Sequence, residues 1–210
     1  ELFRTPSDRD WSSDRTGYAA IVVRNRERFP VSGAGNGAGY VWIRSGGVTY
    51  VSCYFSPNIT MDVFRDQLAG LENFLRGEDG DVVVAGDLNS KATAWGELRT
   101  DPRGRDVLEM VAGLDLVILN SGDKATFRRA GIRGSVIDVT FASARVAARM
   151  STWAVFEDYT ASDHQYITYR LGPEGGRVPR GGPRRRVTGW NVARLNQDAL
   201  REALAEAPPP

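Results

Sequence analysis

A short apolar run in the middle of the chain, Asp81–Ala85 (DVVVA), constrains the fold more than any other feature. A continuous run of this length, rich in valine, is typical of a strand that is buried on both faces, so further layers must cover the sheet on each side. The run ends in Gly86–Asn89 (GDLN), which brings polar side chains to the mouth of that sheet. Ligands of α/β proteins tend to bind at such strand ends.

The segments around this run predict a mixed α/β architecture. A helix follows Thr60, which can cap it, and ends at Gly77; a second helix is predicted over 104–113. Runs rich in Val, Ile and aromatic residues predict the strands, at 16–24, 39–44, 47–55, 116–119, 136–141, 152–156 and 165–171. Strands and helices in this proportion favour two packed mixed β-sheets flanked by helices.

Composition limits the class of protein and its domain organisation. The chain is 41% hydrophobic and 25% charged and has no apolar run long enough to span a membrane, so no membrane partner is expected. Cys53, the only cysteine, lies in an apolar run and is expected to be a core residue in a protein of a reducing compartment. Residues 1–171 are interpreted as one domain, 172–189 as a Gly/Pro/Arg linker and 190–210 as the start of a further segment.

Two groups of polar residues, one just after a predicted strand and one just before the last predicted strand, are candidates for chemistry. Asp87 and Asn89 emerge just after the buried strand, although an Asx-turn, in which such side chains bond their own backbone, is at least as good an explanation. His164, the only histidine, follows Asp163 in a polar stretch. It is therefore a candidate for proton transfer or for stabilising phosphate charge, with a packed core histidine as the alternative.

Two further positions gain meaning beside these. Asp138 shares a strand face with Val136, and a buried carboxylate there needs a partner such as a histidine; the alternative is an edge-strand Asp that faces water. Tyr54 precedes the turn at Ser56–Asn58 and could offer its hydroxyl to a phosphate, but a half-buried aromatic is the favoured interpretation of that residue alone.

A basic run without any acidic residue covers 124–137. Cationic side chains in such a run could bind phosphates and release counterions, whereas the alternative is an ordinary solvated loop. The candidate phosphate-binding residues of the run are Lys124, Arg128, Arg129 and Arg133.

In their order along the chain these signals resemble the endonuclease domain of non-long-terminal-repeat retrotransposons of the insect type. That domain is similar to exonuclease III and the apurinic endonucleases and belongs with them to the endonuclease/exonuclease/phosphatase superfamily. The resemblance covers nearly all of 1–171 and rests on Tyr54 with the Pro57-Asn58 turn, the GDxN motif at 86–89, Thr126-Phe127, the SxID strand at 135–138 and SDH at 162–164. It implies a four-layer α/β sandwich of the deoxyribonuclease/exonuclease III type.

The resemblance also implies roles for the matching residues. Asp87 would orient or activate the attacking water, and Asn89 would hydrogen-bond the scissile phosphate. His164, steered by Asp138, would act as general base or as charge stabiliser, and Tyr54 would contact the developing phosphorane. Asn58 and Thr126 would join the basic run in contacting DNA, and Asp163 would help to hold a magnesium or manganese ion.

The resemblance departs from the family pattern at the start of the chain. The family domain begins with a strand that carries an active-site Asn, followed by a strand that ends in a metal-binding Glu. We align Glu1 with that metal ligand, and we expect the upstream strand to be missing, as in an N-terminally truncated fragment. Residues 190–204 resemble the connector that leads to a reverse transcriptase.

The expected function is therefore a metal-dependent endonuclease that nicks double-stranded DNA to prime reverse transcription. It would act in the nucleus after synthesis in the cytoplasm, as part of a polyprotein with RNA-directed DNA polymerase activity that binds the element RNA. A phosphatase of the same superfamily, acting on inositol lipids or sphingomyelin, and an inactive remnant that only binds nucleic acid are the alternatives.

Overall fold

The computed structural model describes residues 11–122, 124–156, 160 and 162–172. The predictions for Glu1 and for the connector fall outside these residues, as does the predicted linker beyond Gly172. The described strands are β1 (Trp11–Ser13), β2 (Ala20–Val22), β3 (Val31–Gly37), β4 (Tyr40–Ser45), β5 (Val48–Tyr54), β6 (Asp81–Asp87), β7 (Val117–Ile118), β8 (Asp138–Ala142), β9 (Met150–Val155) and β10 (Ile167–Leu171). The described α-helices are α1 (Met61–Arg76), α2 (Pro102–Gly113) and α3 (Ala144–Arg149).

A six-stranded mixed sheet in the order β3-β4-β5-β6-β8-β7 forms the centre of the fold. The strand predicted from the valine run is β6, which pairs in parallel with β5 and antiparallel with β8. Its side chains alternate between two cores: Val82 and Val84 contact the larger core, whereas Val83 belongs to the smaller one. The strand is therefore covered on both faces, as its continuous apolar sequence predicts.

Helices α1 and α2 cover one face of this sheet. Thr60 caps α1 by accepting the backbone N–H of Val63, and the helix buries its apolar positions Phe64, Leu68, Leu71 and Leu75 against the larger core. No helix in the described part of the chain is long and apolar enough to cross a membrane.

The opposite face carries two small sheets, which are β1 paired with β2 and β9 paired with β10. A cavity of about 500 Å³ lies on this side of the central sheet, lined by apolar residues that include Ile21, Tyr50, Val83 and Tyr169. The predicted fold class, a mixed α/β arrangement of sheets with helices, is confirmed, with the second layer described here as two separate pairs of strands.

Several predicted boundaries were wrong. The strand predicted over 16–24 is limited to Ala20–Val22, because the carboxylate of Asp14 accepts the backbone N–H of Thr16 and of Ala19 and forms a turn. Helix α2 begins at Pro102 rather than at residue 104, because Asp101 caps it through the N–H of Gly104. Strands β1 and β3 and the short helix α3 were not predicted from the sequence.

Candidate active site

Asp87 and Asn89 lie where β6 ends, and the residues aligned with Asp87 on the two neighbouring strands are Tyr54 and Asp138. The backbone N–H of Asn89 donates to Asp87 Oδ1 over 2.8 Å, so the Asx-turn is present. The side-chain amide of Asn89 also donates to Asp87 Oδ2, over 2.8 Å. Both carboxylate oxygens of Asp87 therefore accept a hydrogen bond from one residue, which fixes the orientation of the carboxylate.

Asn89 itself is held in an unusual conformation. Its φ angle is +43°, in the left-handed region that residues other than glycine seldom adopt. The second hydrogen of its side-chain amide is donated to the backbone carbonyl of Phe55, over 3.0 Å. Because Asp87 and Phe55 both accept from this amide nitrogen, a hydrogen bond from it to a DNA phosphate would have to replace one of these bonds.

The only histidine is brought to the same place from the other end of the domain. His164 Nδ1 lies 3.0 and 3.1 Å from the two carboxylate oxygens of Asp138. Its other ring nitrogen, Nε2, faces Asp87 Oδ2 at 3.9 Å. A carboxylate on one ring nitrogen fixes the orientation of an imidazole, so Asp138 directs Nε2 toward Asp87.

Burial and charge alter the protonation of both groups. Burial raises the pKa of Asp87 to about 6, and the nearby negative charge of Asp138 acts in the same direction. The hydrogen bond that His164 donates to Asp138 raises the pKa of His164 above its usual value; burial acts against it, and the charges of Asp138, Asp87 and Asp163 add smaller contributions in the raising direction. The site therefore combines a carboxylate that can exchange a proton near neutral pH with an imidazole that tends to hold one.

Thr126 was predicted to contact DNA, and this prediction was wrong. Its side chain is fully buried, with 0% exposure. The hydroxyl oxygen accepts the backbone N–H of Ile137 and of Asp138, each over 3.1 Å. Thr126 therefore holds the start of β8, where Asp138 lies, and its hydroxyl is out of reach of any DNA.

Tyr54 and Asn58 lie on the same side of the site, at and beyond the end of β5. Tyr54 is partly buried, and its ring lies 5.1 Å from the ring of Tyr18, which is 57% exposed. Asn58 is exposed, in a turn where its backbone N–H donates to Ser56 Oγ over 3.3 Å. Both predicted contact residues are thus accessible from the Asp87 end of the sheet.

The basic run at 124–137, called the basic loop from here on, borders the histidine. Phe127 forms isolated bridges with Ser135 and with His164, and its ring meets the imidazole edge-on at 5.1 Å. Arg129 donates two hydrogen bonds to Asp163 Oδ2, over 2.9 and 2.6 Å. The side chains of Lys124, Arg129 and Arg133 belong to exposed residues, whereas Arg128 is partly buried.

The donor chemistry of the site is compatible with a hard cation. Asp87, Asp138 and Asp163 all lie close enough to His164 to raise its pKa, so acidic charge is concentrated here. Among the described residues no group of three or more His, Cys, Asp or Glu side chains is arranged to hold a metal. Magnesium, however, usually takes one or two carboxylates together with water and substrate phosphate, so Asp163 and one further acid would suffice.

Two residues near the site were not singled out from the sequence. Arg103 donates hydrogen bonds to three backbone carbonyls of the turn that contains Asn58. Glu97 accepts the backbone N–H of Val136 over 2.6 Å, next to the strand of Asp138. An arginine at a helix start and a glutamate in a loop are common on protein surfaces, and only the three-dimensional contacts distinguish these two.

The fold and the meeting of Asp87, Asn89, Asp138 and His164 at one strand end define a class, the phosphodiesterase-type nucleases. A family model described as endonuclease-reverse transcriptase matches residues 48–168, more than half of the 210-residue chain. This chain therefore belongs to the endonuclease-reverse transcriptase family. Among curated proteins, none matches the sequence.

Solved structures agree with this assignment. The endonuclease domain of TRAS1, a telomere-specific non-LTR retrotransposon, is 29% identical over 74% of each chain, with a TM-score of 0.62. The 3′-5′ exonuclease NExo from Neisseria meningitidis is 19% identical over 73% of this chain and 74% of its own, with a TM-score of 0.59. An AP endonuclease from Archaeoglobus fulgidus is 14% identical over 72% and 73%, with a TM-score of 0.53. The resemblance to retrotransposon endonucleases with an exonuclease III-like fold is confirmed.

Proposed function

We propose that this chain is a magnesium-dependent endonuclease domain that nicks one strand of target DNA, so that the new 3′ end primes reverse transcription of a retrotransposon. The observation that carries the proposal is the His164–Asp138 pair directed at Asp87. Family membership and the similarity to the endonuclease domain of TRAS1 support the choice of DNA as substrate.

Asp87 is proposed to orient the attacking water and to accept its proton. Its carboxylate is fixed by two hydrogen bonds from Asn89, and burial brings its pKa to about 6, near the pH at which it would work. Asn89 would bind the scissile phosphate with the side-chain hydrogen that it now donates to Asp87 Oδ2, while its backbone N–H keeps the carboxylate in place and the carbonyl of Phe55 keeps its amide in place. Tyr54, aligned with Asp87 on β5, would contact the same phosphate from the neighbouring strand.

His164 is proposed to act as charge stabiliser rather than as general base. Asp138 holds Nδ1, so Nε2 is the ring nitrogen that faces the reacting centre, and it carries a hydrogen when the imidazole is protonated. An imidazole whose pKa is raised by a carboxylate keeps its proton and can donate a hydrogen bond to a phosphate oxygen. The proton of the water would then go to Asp87, and His164 would stabilise the negative charge that develops on the phosphate. The bond from phosphorus to the 3′ oxygen would break, and that oxygen would take a proton from solvent.

A divalent cation would complete the site. Magnesium, or manganese in its place, neutralises charge on the phosphate oxygens when it is bound. Asp163 would be one ligand and Glu1 the second. Asp163 is at present paired with Arg129, so binding of a cation would compete with that ion pair.

The proposed partners follow from the surface of the basic loop. Lys124, Arg128, Arg129 and Arg133 would bind phosphates of double-stranded DNA, and Asn58 would contact the DNA from the other side. The element RNA would be bound by a downstream domain of the same polyprotein, which would carry RNA-directed DNA polymerase activity. The site of action would be the nucleus, after synthesis in the cytoplasm.

A plasmid assay tests the proposal. Supercoiled plasmid is incubated with the full chain in magnesium, in manganese and in excess chelator, and an inositol phosphate is offered in parallel. We expect relaxed, singly nicked plasmid in either metal and none with the chelator. Phosphate release from the inositol phosphate without nicking would identify a phosphatase, and DNA binding without nicking in either metal would identify an inactive binding protein.

A further inference from the structure

We infer that Arg103 is a positioning residue for strand cleavage, which holds Asn89 in its working conformation through the turn at 56–59. The inference rests on the proposed function, since it assigns Arg103 a part in the same site. Arg103 lies in the first turn of α2, on the face of the central sheet that the helices cover, and only 9% of it is exposed. A buried guanidinium must be satisfied by fixed acceptors, so its partners identify what it organises.

Those partners are main-chain carbonyls of one turn. Arg103 donates to the carbonyls of Ser56 over 3.0 Å, of Pro57 over 3.4 Å and of Ile59 over 2.7 Å. The guanidinium also lies 4.8 Å above the ring of Phe64 in α1. A planar fork with several donors can hold three carbonyls at once, which the single ammonium group of a lysine does less well.

The turn held by Arg103 is joined directly to the site. Phe55, one residue before Ser56, donates its backbone N–H to the carbonyl of Asp87 over 2.9 Å. Its own carbonyl accepts the side-chain amide of Asn89 over 3.0 Å. The ring of Phe55 packs edge-on against Phe64, the ring beneath Arg103, with centroids 5.6 Å apart. A shift of the turn would therefore move the acceptor that holds Asn89.

The start of α2 also holds the chain on the C-terminal side of Asn89. The backbone N–H of Asp101 donates to the carbonyl of Lys91 over 2.9 Å, two residues beyond Asn89. Gly104 packs so closely on that carbonyl that a side chain at 104 would overlap it. Asn89 has a φ of +43°, and such a conformation persists only when the surrounding structure over-determines it. Residues 101–104 therefore restrain Asn89 in two ways. The side chain of Arg103 holds the turn that supplies its acceptor, and the backbone of Asp101 and Gly104 holds the chain that follows it.

The test compares Arg103→Met and Arg103→Lys with two control variants in the full chain. Arg65→Met removes an arginine that bridges α1 and α2 through a hydrogen bond to Asp106. Val107→Ala removes buried volume from α2 and controls for loss of stability. At a temperature where every variant is folded, we expect Arg103→Met to lower the plasmid nicking rate at saturating DNA on the order of tenfold or more. Both controls should stay within about twofold of the original chain.

A double-mutant cycle distinguishes positioning from a general structural effect. If Arg103 acts through Asn89, then Arg103→Met should cost less than about twofold once Asn89→Ala is already present. Effects that multiply, or an Arg103→Met protein that nicks at the original rate, would overturn the inference. Arg103→Lys provides the same comparison should Arg103→Met fail to fold.

Hydrogen exchange tests the inference without relying on activity. The amides of Phe55, Ser56, Asn58 and Ile59 and those of 89–91 should exchange faster in Arg103→Lys than in the original chain and remain unchanged in Arg65→Met. A chain that does not nick at all would refute the proposed function while leaving this comparison intact. Unaltered exchange in Arg103→Lys would refute the role of Arg103 itself.

Discussion

Replacing Thr126 by Val is the sharpest test of how the site is held together. Valine fills nearly the same volume but removes the hydroxyl oxygen that accepts two backbone N–H groups, those of Ile137 and Asp138. A buried donor that loses its acceptor costs about 1–3 kcal/mol. Two such donors, with some relaxation around them, predict a loss of about 2–4 kcal/mol in the free energy of unfolding.

Thr140 offers a matched control on the same strand. It is also buried, at 1% exposure, but within the described part of the chain its hydroxyl accepts a single hydrogen bond, from Trp153 Nε1 over 3.2 Å. Urea denaturation of Thr140→Val should therefore show a loss of about 1 kcal/mol. Thr126→Ser keeps the hydroxyl and should stay within about 1 kcal/mol of the original stability.

The two valine variants should also differ in activity. Thr126→Val loosens the backbone of Asp138, whose carboxylate holds His164. Under conditions in which both proteins are folded, its nicking rate should therefore fall more than that of Thr140→Val. A Thr126→Val protein that unfolds no more easily than Thr140→Val would refute the assignment of Thr126 as the support of β8.

Four further predictions concern the site and the basic loop beside it. His164→Ala should lower the nicking rate by on the order of 10²-fold with little change in the unfolding curve, and near-normal nicking would rule out its proposed role. Asp87→Asn should be inactive yet bind DNA at least as tightly. Asp138→Asn keeps one oxygen for His164 and should lose less of the nicking rate. If rates and gel shifts show Asp138→Asn to be the less active of the two, their roles are reversed. Arg133→Ser should lower the slope of log affinity against log salt by about 0.9 without altering the rate at saturating DNA, and an unchanged slope would place it off the DNA. Arg129→Ser should change both the salt slope of DNA affinity and the nicking rate at saturating DNA, because it also releases Asp163 from its ion pair. An effect on the salt slope alone would show that the ion pair has no part in cleavage.

Elements with a strong local signal were predictable from the sequence. Helix α1 lies between its cap Thr60 and Gly77 as its apolar spacing predicts, and β6 begins at Asp81 as predicted. Strand β3 was missed because its sequence, VSGAGNG, has little β-propensity. It becomes a strand because aromatic rings of β4 lie across its glycines; a Cβ at Gly35 would stand 2.7 Å from the ring of Trp42. That pairing depends on a partner strand, which a local pattern does not contain.

The same distinction applies to the site. Asp87 ends β6, Asp138 begins β8 and His164 precedes β10. Each position was a weak signal alone, and the family resemblance of the whole series predicted that they would form one site. Thr126 was misjudged, because a threonine beside a basic run looks exposed and its burial depends on where 135–138 returns. Arg103 has an ordinary helix-start sequence, and its three carbonyl partners come from more than forty residues away.

The basic loop is joined to the histidine by main-chain bonds. The N–H of Arg128 donates to the carbonyl of Asp163, and the N–H of Gln165 donates to the carbonyl of Thr126, each over 2.7 Å, on either side of His164. A force on the loop is therefore transmitted to the imidazole. A duplex whose groove deforms the loop would still be held by its phosphates, yet it would be cut slowly because His164 is displaced. Preference for one DNA shape over another would then appear in turnover rather than in affinity.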